Sequence, residues 1–359
     1  MEDGVLDDLT VLLPPLLRSL EALGFVARNL NPTQYDLVLE TIGSPDAALR
    51  LVRPNLEAWP EDLAPMRQRL ETARDAVLEA FDGLRAAPDD PDGLRAAFRA
   101  LRLLPRAQEA LYLLAAGLPP VSRFFLAPGR RDDADLQSRL TGAEPREDTG
   151  LVHMDDQPGK RGGFCMYVPE DYTPDRSWPL VMALHGGGGN GRSFLWSWLR
   201  DVRGQGAILI APTSVGATWA LSGPDGDTPH LARLLDMAKR GWNIDERRLL
   251  LTGMSDGGTF TYVSGLEADS PFTHLAPACA SFHPMLAQMA DADRMRDLPI
   301  YLVHGALDWM FSVDVARGAN EALTAAGANV TYREIADLSH AYPREENPAI
   351  LDWLNGGEA

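Results

Sequence analysis

The chain has 359 residues, enough for two structural units or for one large domain with an extension. Lys and Arg total 33 against 51 Asp and Glu, and the resulting charge of −18 opposes non-specific attraction to phosphate backbones and anionic membranes, so nucleic acid is not an expected partner. The opening MEDGVLDDLT carries acid where a secretory signal carries positive charge, and no long uninterrupted apolar run follows, so a cytoplasmic protein without membrane insertion is expected.

Residues 1–125 are rich in Leu, Ala and Arg at helical spacing and read as an all-α N-terminal domain. Leu63, Met66, Leu70, Ala73, Val77, Ala80 and Phe81 form one apolar stripe. Pro14-Pro15, Asn31-Pro32, Ser44-Pro45 and Pro88-Asp89-Asp90-Pro91 are expected to break the region into five or six helices. Residues 126–155, charged and rich in small side chains, read as a linker. From 156 to 359 short β-rich runs alternate with helical stretches: 164–168, 180–184, 207–211, 249–252, 276–280, 300–303 and 330–335. That alternation predicts an α/β domain with a mostly parallel sheet covered on both faces. Cys165 and Cys279 lie in apolar runs and are expected to be buried, reduced thiols.

Gly253-Met254-Ser255-Asp256-Gly257 fits G-x-S-x-G, after one apolar strand and before a helical stretch. A strand-to-helix turn that exposes a serine hydroxyl needs small residues on both sides, so Ser255 is the expected nucleophile. About 70 residues earlier, the strand 180–184 ends in His185-Gly186-Gly187-Gly188-Gly189-Asn190. The amides of Gly187, Gly188 and Asp256 are the expected donors to an oxyanion. Gly186, Gly188 and Gly191 also satisfy G-x-G-x-x-G, but the next strand ends in Pro212-Thr213-Ser214, without the carboxylate that dinucleotide binding requires. No cofactor is expected.

The strand 300–303 leads to Asp308, and the strand 330–335 leads to His340. Each lies beyond the carboxyl end of its strand, where Asp308 can orient the imidazole and His340 can take the serine proton. Asp337 competes for the acidic role and is the less favoured candidate. His185 and His304 are expected to bond locally. The His153-Met154-Asp155-Asp156 cluster reads as solvated surface, and no spaced Cys/His set calls for a metal. Trp219 and Trp309 are candidate walls of a substrate pocket.

The segments LHGGGGNG, GMSDGG, HGALDWMFSV and SHAYPREENPAILDWL together resemble the α/β-hydrolase superfamily, nearest to its compact carboxylesterase, phospholipase/carboxylesterase and polyhydroxybutyrate-depolymerase-like branches. The likeness covers about residues 160–357 and implies an α/β-hydrolase fold in which Ser255, Asp308 and His340 form a triad. It implies a serine carboxylesterase acting on small to medium esters, with polyester, feruloyl or aryl esters, or amides, as alternatives and a non-enzymatic interaction protein as the remaining one. The helical first third lies outside the likeness and is expected to cover part of the mouth or to build a homodimer interface.

Overall fold

The computed structural model describes residues 3–52, 54, 56–155 and 159–357, so Asp156 of the His153 cluster lies outside the described residues. The chain divides into two compact units, 1–137 and 138–359. The stretch read as a linker, 126–155, holds the helix Ala134–Gly142 and a strand, β1 (Gly150–Met154).

Among the described residues the first unit is helical, with seven α-helices from Asp3–Asn29 to Pro119–Phe124. The expected break at Pro14-Pro15 does not occur, because Asp3–Asn29 runs through both prolines. Two prolines remove ladder donors. Against that loss, Leu9, Leu12, Leu16, Leu20 and Leu23 form a stripe at most 4% exposed, and its burial outweighs local propensity. This helix is also long and apolar enough to cross a membrane by length and composition, although half of its apolar window is buried, as in a core helix. Leu70, Ala73, Val77, Ala80 and Phe81 of the expected stripe are buried in Ala64–Ala86.

Asp46, 1% exposed, accepts from Arg50 Nε at 2.8 Å and from Arg85 Nη1 at 2.9 Å, with Arg85 Nη2 on its other oxygen. Burial pushes the carboxyl up, yet the Arg85 and Arg50 hydrogen bonds hold it below its ordinary value. A depressed carboxylate stabilises the fold at neutral pH and loses that contribution as pH falls through its folded value. Asp46→Asn is expected to cost about 2 kcal/mol in urea unfolding at pH 7, less than a fully buried pair because both arginines are partly solvated. An unchanged midpoint would show the cluster to be neutral for stability.

The second unit is built on one eight-stranded sheet in the order β1-β2-β4-β3-β5-β6-β7-β8. The strands after β1 are β2 (Phe164–Val168), β3 (Trp178–Leu184), β4 (Ile208–Pro212), β5 (Ile244–Met254), β6 (His274–Ala278), β7 (Pro299–Gly305) and β8 (Asn329–Ile335). β3 to β8 run parallel, while β2 is antiparallel to both β1 and β4. β2, β3 and β4 are buried along their whole length, which is why they read as continuous apolar runs. β1 is a half-exposed edge. Cys165 in β2 and Cys279 just after β6 are buried and outside any disulfide; Cys165 Sγ lies 2.8 Å from His153 Nδ1, and Cys279 Sγ donates to Ala341 O at 3.4 Å. In a parallel sheet the carboxyl ends share one edge, and the loops after β3, β4, β5, β7 and β8 all open there.

Candidate active site

Ser255 directly follows β5 and caps the helix Asp256–Gly265, with φ 56° and ψ −119°. For a serine this is a costly conformation, and the packing around it keeps it in place. A side chain at Gly257 would run into the carbonyl oxygens of Leu184 and His185, and one at Gly253 would meet the Gly257 carbonyl at 2.5 Å. The two glycines let the strand, the turn and the helix close on one another, and the Ser255 backbone N–H is held by Ala278 O at 3.0 Å.

The loops after β7 and β8 bring the other two groups to the serine. His340 Nε2 accepts from Ser255 Oγ at 3.1 Å, and His340 Nδ1 donates to Asp308 Oδ2 at 2.8 Å. The Asp308 side chain is fully buried, and its Oδ1 accepts from the backbone N–H groups of Met310 and Phe311, each at 2.9 Å. Burial pushes the Asp308 carboxyl up, but the His340 and backbone hydrogen bonds outweigh it and leave the group below its ordinary range. His304 donates through Nε2 to Phe311 O at 3.0 Å and stands 3.5 Å from Asp308 Oδ2, so it supports the acid loop from behind. Asp337 is not the carboxylate on His340 Nδ1.

After β3, residues 186–189 form a tight turn closed by Gly189 N–H donating to Gly186 O at 3.0 Å, with Gly188 at φ +65°. Gly187 and Gly188 are the central residues of that turn, so their N–H groups are not spent inside it. Among the described residues neither of these amides, nor that of Asp256, has a hydrogen-bond partner. A side chain at Gly186 would meet Ser255 Cβ at 3.6 Å, and one at Gly187 would meet Asp256 Oδ2 at 2.7 Å. The turn therefore lies against the serine, with three unspent amides on it and on the residue after Ser255.

His185 is a structural member of this loop. Nδ1 donates to Gly186 O at 2.7 Å, and Nε2 accepts from Ser214 N–H at 3.1 Å, which fixes a neutral tautomer. Burial pushes its pKa down to about 4.

The two tryptophans part company. Trp309 is 41% exposed and meets the His340 ring edge-on at 6.1 Å, at the mouth of the site. Trp219 is 2% exposed; its indole N–H donates to His185 O at 2.7 Å, and its ring stacks on Phe260. The expectation that Trp219 walls a pocket is therefore corrected, because the side chain braces the start of the glycine turn and has no face open to substrate. Sequence reasoning passed over Phe311, 5.5 Å edge-on to His340, and Thr218, whose hydroxyl donates to Asp256 Oδ2 at 2.6 Å. It also passed over Arg161. None carries a motif; Thr218 and Phe311 had only their places in the loops after β4 and β7 as a signal, and Arg161, between β1 and β2, had none.

Residues 228–356, the stretch holding Ser255, Asp308 and His340, match the phospholipase/carboxylesterase family model. A bifunctional acetylxylan esterase/xylanase of Neocallimastix patriciarum is 28% identical over 200 residues, 52% of this chain and 27% of that protein. A probable feruloyl esterase C of Aspergillus terreus is 23% identical over 189 residues, 50% of this chain and 66% of that protein. The chain thus spans about a quarter of the first relative and just under two thirds of the second. A solved thermostable esterase aligns over 58% of this chain and 63% of its own at 23% identity, with a TM-score of 0.47.

Proposed function

We propose that this α/β-hydrolase-fold, carboxylesterase-like protein is a serine esterase that cleaves small to medium carboxylic esters through an acyl-enzyme. The observation that carries the reading is the continuous line from Ser255 Oγ through His340 to Asp308, beside three unspent amides. Ser255 Oγ attacks the ester carbonyl as its proton passes to His340 Nε2. The former carbonyl oxygen takes the negative charge and receives the amides of Gly187, Gly188 and Asp256. Collapse expels the alcohol, which leaves with the proton from His340. Water then repeats the sequence on the acyl-serine and frees the acid.

The surroundings favour esters with an apolar part. In the second unit the exposed large apolar side chains among the described residues are Met154, Val215, Leu221, Met285, Met289, Leu307, Trp309 and Met310. Met154 ends β1, Val215 and Leu221 follow β4, and Leu307, Trp309 and Met310 follow β7, strands whose ends share the edge that carries Ser255. Apolar surface gathered at one edge marks a binding face. Only residues 279–298 separate β6 from β7, with two short helices, Met285–Met289 and Ala292–Met295, so no large helical lid is inserted there. Aryl esters are the second reading, favoured by Trp309 and Phe311, both edge-on to the base.

A series of p-nitrophenyl esters from acetate to decanoate, with methyl ferulate and an aminoacyl anilide, tests this reading. Turnover is expected to exceed that of acetate for four- to eight-carbon acyl groups, with the anilide untouched. If no ester is hydrolysed and a fluorophosphonate probe leaves Ser255 unlabelled, the reading is wrong.

A further inference from the structure

We propose that Arg161 is a positioning residue for ester hydrolysis, holding the oxyanion turn 186–189 in register with Ser255 by tying it to the loop after β4. The inference rests on the esterase reading above. Arg161 Nη1 donates to Gly189 O at 2.7 Å. Its Nε donates to Ser214 O at 3.1 Å and Gly216 O at 2.8 Å, and Nη2 reaches Ser214 Oγ and, at 3.3 Å, Ala217 O. One planar fork therefore holds two chain segments that no strand pairing joins. Among the described residues it forms no ion pair.

A guanidinium spent on carbonyl oxygens, without a carboxylate of its own, forgoes the usual partner of a cation. Its fixed N–H directions explain the arrangement. Gly189 O belongs to the peptide that leaves the turn, so holding it limits how far the Gly187 and Gly188 peptides can shift. With four glycines and no side-chain anchors, the turn has little stiffness of its own. His185 holds its start by accepting from Ser214 N–H, and Arg161 holds its end through Gly189 O while its Nε donates to Ser214 O. Ser214 to Ala217 thus backs the turn, and Arg161 adds positive charge beside it, partly offset by Asp227.

Displacing an amide by about 1 Å at such a site costs on the order of 10²-fold in rate. Arg161→Gln is expected to lower kcat on p-nitrophenyl butyrate about 30- to 100-fold per titrated active site, with KM within about threefold. The affinity for an alkylboronic acid, whose tetrahedral serine adduct uses the same amides, should fall by a similar factor. Arg161→Lys keeps the charge but only a point donor and should recover less than half of the logarithmic loss. In Arg161→Gly, millimolar guanidinium should restore part of kcat without changing KM. The proposal is overturned if kcat per titrated site and boronate affinity match wild type, or if all lost activity is accounted for by lost titratable sites. An inert, unlabelled wild type would overturn the esterase reading itself, and this inference with it.

Discussion

Ser255→Ala is expected to lower kcat on p-nitrophenyl butyrate by about 10⁶-fold, with little change in KM. Removal of Oγ takes away the only atom placed both at the turn after β5 and 3.1 Å from His340 Nε2. The His340 and Asp308 pair and the free amides would survive, so a residual acceleration of about 10³-fold over water is expected from oxyanion binding alone. The fold should hold: the substitution keeps Cβ and removes one hydrogen bond, worth about 1 kcal/mol. Steady-state rates alongside urea unfolding of both proteins separate the two effects. Turnover within tenfold of wild type would take the nucleophilic role from Ser255.

How much of this could be read beforehand depended on whether a feature was local. The triad was legible because each member follows an apolar strand directly, and a parallel sheet brings the ends of its strands to one edge without further information. The strands themselves were legible where they are buried on both faces: the run 164–168 coincides with β2, and 180–184 lies within β3. β1 was missed for the converse reason. As a half-exposed edge strand in a charged stretch it shows no apolar run, and only its pairing with β2 defines it.

Depth and long-range bonding were not legible. Trp219 stands at a plausible place in the chain, but nothing in the neighbouring sequence says that its ring lies between His185 and Phe260. Pro14-Pro15 carries a strong local signal for a break, which the burial of one leucine face overrides. Arg161 sits in a glycine-rich turn, and its partners lie 28 to 56 residues further on. Such a residue becomes visible only when the carbonyls around it are counted.

Asp308→Asn is expected to reduce kcat about 10⁴-fold while leaving the side-chain volume unchanged. The reason follows from the other oxygen of the carboxylate. Oδ1 accepts two backbone N–H groups, so an amide at this position must keep its carbonyl there and turn its NH₂ toward His340. Nδ1 would then accept instead of donate, the ring proton would move to Nε2, and the nitrogen facing Ser255 could no longer take a proton. Stability should fall as well, with a definite dependence on pH. The depressed Asp308 pKa means that the ionised group stabilises the native state near neutrality, and that this is lost only as pH drops through its folded value, below the unfolded value of about 3.9. The gap between wild type and variant in urea unfolding should therefore be wide at pH 7 and narrow only below about pH 4. If kcat instead stays within tenfold of wild type, the imidazole is oriented by another group, and the geometry around Oδ1 would not govern the tautomer.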